Sequence, residues 1–160
     1  MKNHEFFASA FANEIPAHQR VLDAIPADKL DFRTHERNRT AGDLAWQIAC
    51  EFHNVANILE NGDINDAGAP RPATKAEIMK HFEAGVEKVQ AQLKSVGEER
   101  WNAMGKFIIA GNEVGQMPSS ALGWLLHNDM IHHRGQISVY LRPMGAKVPS
   151  IYGPSGDTEM

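Results

Sequence analysis

The chain lacks the features that would place it in several broad functional classes. Its single cysteine, Cys50, excludes an internal disulfide. It has no excess of positive charge: 16 Lys and Arg stand against 20 Asp and Glu, for a formal net charge of −4. Nucleic-acid and anionic-membrane partners call for a basic patch, so neither is expected. No apolar run approaches the roughly 18 residues a membrane span requires. The opening Met1-Lys2-Asn3-His4-Glu5 does not lead into an apolar stretch, so no signal peptide is expected and a cytoplasmic location is. Histidine, in contrast, is abundant at eight residues, and it is the side chain of metal sites and of acid–base chemistry.

A length of 160 residues fits one domain, 1–160, with a core large enough to be stable alone. Apolar residues at helical spacing recur along it. Residues 3–25 read as a first helix, with Asn3 as N-cap and an apolar stripe from Phe7 through Ile15 to Leu22. Pro16 inside it predicts either a kink or two short helices. Glu14 and His18 lie four residues apart, at the stripe's edge, where a solvated pair is expected. Pro26 stops the helix, and Leu30 and Phe32 are expected to anchor the polar connection that follows. Thr40 with Asp43 opens a second helix, which carries Gln47 and Glu51 near its apolar face and ends at Asn61-Gly62. Residues 62–73 read as a long crossover loop. Thr74 and Glu77 form a capping box for a third helix, which runs to about residue 96. Residues 98–117 predict a turn and an extended piece. Pro118 suits the first turn of a last helix reaching about Leu141. The tail beyond it is expected to lie partly ordered on the surface, with its last residues frayed. Four long amphipathic helices and one crossover predict an all-α four-helix bundle, a fold that places ligand sites on facing helices.

The last helix concentrates the chemistry. At roughly 100° per residue, Leu122, Leu125, Leu126, Asp129, His133, Gln136, Tyr140 and Met144 share one face, which predicts that Asp129 and His133 point inward as i, i+4 neighbours. A buried carboxylate is costly unless paired or bound to a cation. Two readings stand: a satisfied core pair, or part of a metal or catalytic site. His127, His132 and Arg134 fall off that face and are expected at the surface or an interface. Trp124 and Ile131 lie on the outward side, which predicts cover by a loop or a homodimer contact. Cys50 is expected to be a small buried residue.

His132-His133-Arg134-Gly135-Gln136 resembles the signature of the DinB-like family of metalloenzymes. Thr40-Ala41-Gly42-Asp43-Leu44-Ala45-Trp46-Gln47-Ile48-Ala49 is similar to that family's second-helix motif, and Val148-Pro149-Ser150-Ile151-Tyr152-Gly153-Pro154-Ser155 to the tail of one branch. The resemblance implies an up-down-down-up four-helix bundle, often dimeric. It also implies a divalent metal held by three histidines, one from the second helix and two from the last. Relatives include thiol S-transferases that use low-molecular-weight thiols and a mycothiol-dependent isomerase. This chain has Gln47 and Asp129 where the family usually has the first two histidines, and only His133 matches. The carried-over metal set is therefore Gln47, Asp129 and His133, for zinc, nickel, manganese or iron, with Glu51 and His18 as base or supporting groups.

Two functional classes follow. One is a metal-dependent enzyme that acts on a small molecule by thiol transfer or hydrolysis. The other is a metal-free binding or stress-associated protein that kept the bundle and lost the chemistry. Convergence of the three positions on an open cavity favours the first; a sealed, mutually bonded network favours the second.

Overall fold

The computed structural model describes residues 1–66 and 68–158. Among the described residues the chain is mostly helical, with four long α-helices, one short α-helix, two single-turn 3-10 helices and a small three-stranded sheet. The long helices are α1 (Asn3–Ala24), α2 (Ala41–Asn61), α3 (Lys75–Ser95) and, after the short α4 (Glu98–Asn102), α5 (Ser119–Leu141). The strands are β1 (Ile64–Asp66), β2 (Met104–Ile109) and β3 (Asn112–Pro118). Among the described residues no helix is long and apolar enough to cross a membrane. The expectation of frayed last residues falls partly on 159–160, outside the described residues.

Local chemistry sets most helix ends. Lys2, not Asn3, is the N-cap of α1, and its backbone N–H donates to Glu5 Oε2 at 2.8 Å. Asn3 instead accepts from the Trp101 indole N–H at 2.8 Å, tying α1 to α4. The helix runs unbroken through Pro16, so the expectation of two short helices does not hold. Pro16 and Ala12 are both exposed, so water can satisfy the carbonyl that the missing N–H leaves free. Thr40 caps α2 by accepting from the Asp43 N–H, and Gly62 ends it at φ +95°, where a side chain would be strained. Thr74 and Glu77 form the expected box at the start of α3.

The core lies between the helices: Phe7, Phe11 and Leu22 of α1, Ile48, Phe52 and Ile58 of α2, Phe82 and Val89 of α3, and Leu122, Met130 and Ile137 of α5. Leu30 is buried and Phe32 packs against the core, as expected. The buried face of α5 is rotated from the expected one. It carries His127 and Arg134, while Leu125 is 44% exposed. Trp124 is half-buried against α1, with Phe7 edge-on at 5.1 Å and Phe6 at 5.9 Å.

The sheet replaces the irregular inserts that the sequence predicts. β1, inside the crossover, pairs parallel with β2, placing Ile64 opposite Phe107, and β2 pairs antiparallel with β3. Ala110 and Gly111, both at positive φ, make the two-residue hairpin turn. Gly105 is required where β2 meets the end of α2, because a Cβ there would collide with the Gly62 carbonyl oxygen. The result is a sheet held against α2 and α5, above their polar side chains.

Candidate metal centre

Glu51 of α2 and Asp129 and His133 of α5 converge. One ligand atom from each lies within 4.8 Å of the others. The i, i+4 spacing brings His133 Nε2 to 3.1 Å from Asp129 Oδ2. Glu51 reaches them from the facing helix. Gln47, one turn earlier on α2, donates from its amide nitrogen to Glu51 Oε1 at 2.6 Å, and its own oxygen accepts from Arg39 Nη2 at 3.3 Å. Asp129 is not the buried carboxylate the sequence predicts: its side chain is 41% exposed, at the rim of a cleft. That cleft, about 290 Å³, has Gln47, Glu51 and Asp129 of the helices on its wall together with Ile64, Asp66, Phe107 and Ile109 of the sheet.

The donor set fits a divalent cation on two observations. Glu51 is almost fully buried, and its Oε2 has no hydrogen-bond partner. Burial, then a carboxyl–carboxyl hydrogen bond with Asp129 that forms when the proton is present, pushes the Glu51 carboxyl up to about 9 despite the bond from Gln47. The second observation is the His133 ring. Its Nδ1 faces Gln136 Oε1 at 2.9 Å while its Nε2 faces a carboxylate oxygen. With the Gln136 amide oriented this way, both ring nitrogens face acceptors, an arrangement met either by an imidazolium or by a ring that holds a cation at Nε2. A cation shared by Nε2 and the two carboxylates satisfies all three groups at once, with Gln136 fixing the tautomer that leaves Nε2 free to ligate.

The sequence pattern described as the DinB family matches residues 1–159. The chain belongs to the DinB family. It is 28% identical over 160 residues to the uncharacterized protein YrdA of Bacillus subtilis, covering 94% of this chain and 89% of YrdA. A crystal structure of a DinB-like protein from Bacillus cereus shares its fold, with a TM-score of 0.72 at 22% identity over 91% of this chain and 95% of that one. A more distant likeness in fold is to the mycothiol-dependent maleylpyruvate isomerase, with a TM-score of 0.56 at 12% identity over 93% of this chain and 65% of that one.

Within this DinB-family chain, each part of the last-helix motif has a distinct place. His132 is exposed and His133 faces the acids. Gln136 holds the His133 ring. Arg134 is only 2% exposed, against the surface position expected for it, and pairs with Glu14 of α1. The Tyr152 hydroxyl completes this clamp, donating to Glu14 at 2.8 Å and accepting from Arg134, so the tail is fixed to both helices. His127 is buried beside Phe7, Phe11 and Trp124. Glu14 and His18 are not the solvated pair expected at the edge of α1: Glu14 takes Arg134, and His18 is buried edge-on to Phe52 at 5.6 Å. Burial, with Arg134 and His127 nearby, lowers His18 to about 3. It does not join the Glu51–Asp129–His133 group. Cys50 is half-buried, and burial together with Asp66 and Glu51 pushes its thiol up to about 12, which leaves it a poor nucleophile near neutral pH.

Glu51, expected from the sequence as a base or supporting group beside Gln47, is the carboxylate the fold brings to Asp129 and His133. Its signal was present: an acid one turn after Gln47, on a helix face otherwise made of Leu44, Ile48 and Val55.

Proposed function

We propose that this chain is a divalent-metal protein with Glu51, Asp129 and His133 as ligands and Gln47 as the residue that positions Glu51. The observation that carries this reading is Glu51 Oε2, buried with no N–H donor on it, facing a second carboxylate and an imidazole. Two carboxylates and one imidazole form a harder donor set than three imidazoles and suit zinc, manganese, nickel or iron(II). When bound, such an ion lowers the pKa of a thiol or water in the cleft and polarises a substrate oxygen.

The chain's own side chains do the rest. Gln47 occupies one Glu51 oxygen and leaves the other for the ion. Arg39, on the Gln47 carbonyl, fixes the orientation of that amide. Gln136 keeps His133 in its ligating tautomer. The sheet side of the cleft excludes water from one flank and accepts an apolar substrate portion. Likeness to a mycothiol-dependent isomerase supports transfer or rearrangement that uses a low-molecular-weight thiol, with hydrolysis as the other reaction open to the same centre. In this reading the four long helices form the family's up-down-down-up bundle, and the protein works as a cytoplasmic homodimer on a small molecule.

The test is elemental analysis of tag-free protein after incubation with zinc, nickel, manganese and iron(II). Near-stoichiometric metal is expected, lost in His133→Ala and Asp129→Asn and lowered well over tenfold in affinity by Glu51→Gln. Metal content that these substitutions leave untouched overturns the ligand set. No uptake of any of the four ions returns the chain to the metal-free binding class.

A further inference from the structure

A second cleft, whose Arg39 contacts Gln47 of the first, has the opposite character. It measures about 360 Å³ and lies between the connection leading into α2, which supplies Arg37 and Arg39, and the C-terminal half of α5, which supplies Gln136 and Tyr140. The chain as a whole is acidic, yet residues 33–39 hold three arginines and one glutamate. Among the described residues, neither Arg37 nor Arg39 has a carboxylate within ion-pair distance. The Arg39 guanidinium makes only long contacts to neutral oxygens, 3.3 Å to Gln47 and 3.4 Å to the Asp43 carbonyl. Two guanidinium groups beside a cavity, short of anionic partners, match the planar fork that recognises a carboxylate.

The position of this cleft matters as much as its charge. Arg39 touches Gln47, which holds Glu51. Gln136, which lines the arginine cleft, holds His133. Two side-chain contacts, Arg39 on Gln47 and Gln136 on His133, therefore link this cleft to the Glu51–Asp129–His133 group.

We propose that the arginine cleft is the anion subsite of this centre, binding the carboxylate of a small organic acid whose other end reaches the cleft beside Glu51 and Asp129. The inference rests on the metal reading for its link to chemistry, but not for the binding itself. The carboxylate belongs either to the thiol or to the molecule the thiol attacks.

The experiment uses cobalt(II)-substituted protein titrated with 3-mercaptopropionate, propionate and ethanethiol. Absorption reads thiolate–cobalt charge transfer, and NMR of the arginine side chains reads carboxylate binding. The two acids are expected to bind more tightly than the neutral thiol. Arg37→Gln is expected to weaken both acids about fivefold or more, the effect of one charge-assisted hydrogen bond at an exposed site. It leaves cobalt content and ethanethiol affinity unchanged, because Arg37 touches none of the ligands. A charge-transfer band with 3-mercaptopropionate assigns the carboxylate to the thiol partner; binding of both acids without that band assigns it to the acceptor. Acid binding that Arg37→Gln and Arg39→Gln both leave unaltered overturns the subsite, as does an acid affinity no greater than that of ethanethiol. If cobalt is not taken up, the metal reading fails by itself. The propionate titration of metal-free protein then decides the subsite: weakening by Arg37→Gln supports it, and no binding overturns it.

Discussion

Glu51 is the residue on which the chemistry turns, and its energetics are open to test without any substrate. Its carboxyl, ordinarily near 4.5, is raised to about 9 in the folded chain. Between those values the folded state keeps a proton that the unfolded state has released, so stability falls as pH rises from about 4.5 to 9. Glu51→Gln removes that dependence. In chelator-treated protein the variant is expected to melt close to wild type near pH 4.5 and well above it near pH 8. A gain of about 2 kcal/mol would show as roughly 4–8 °C for a chain of this size. Calorimetry at the two pH values checks this, and parallel pH profiles would sink the assignment. A divalent ion should reverse the order, since it stabilises only the form that binds it. The pairing of Asp129 with His133 was legible in the sequence because i, i+4 spacing fixes it. The depth of Asp129 was not, because the orientation of a helix about its axis depends on which polar residues find buried partners. Arg134 finds Glu14, and the face turns accordingly.

At the scale of elements, the Arg134–Glu14–Tyr152 clamp joins α1, α5 and the tail. Arg134→Met leaves Glu14 without its cation in a mostly buried setting, with an expected cost of about 3 kcal/mol in urea denaturation. Adding Glu14→Gln should recover part of that loss, and strictly additive losses would argue against the pair. Tyr152→Phe removes a smaller contribution, about 1 kcal/mol, and is expected to show mainly as faster proteolysis of the tail. The junction of β2 with α2 tolerates less. Gly105→Ala drives a methyl group into the Gly62 carbonyl, so the strand must shift. A drop of several degrees in Tm is expected, together with weaker ligand binding in the cleft that β2 walls. Helix ends were readable because Thr40, Thr74 and Gly62 act through neighbours in sequence. Extended chain was expected within 98–117, where β2 and β3 lie, but β1 and its pairing with β2 were not: β1 is three residues long, and its pattern carries no period.

For the whole molecule, acid and alkaline limbs of stability have different owners. His18 is held to about 3 against its usual 6.5, and His127 is lowered as well, chiefly by burial. These rings stay neutral in the folded chain while the unfolded chain takes up protons. Their contribution is therefore complete above about pH 6.5 and is lost as pH falls toward 3. Between about pH 4.5 and 6.5 the opposed slopes of His18 and Glu51 offset each other in metal-free protein, so the gentle rise with pH left in that range belongs to the other lowered histidines, His127 and His81. His18→Gln should flatten the acid limb in a series of melting curves, and an unchanged limb would move its origin elsewhere. The helical class and the four long helices were visible from periodicity, whereas the apolar side of the cleft arises from chain segments about forty residues apart, Ile64 against Phe107. That separation has a temporal consequence. Joining distant segments costs loop entropy before any contact repays it, while each helix forms from contacts close in sequence. A refolding chain is therefore expected to protect the amides of α2 and α5 in pulse-labelled hydrogen exchange before those of β1 and β2. Its ability to bind ligand should appear with the second set, so that newly collapsed molecules are helical for a time and still functionally immature.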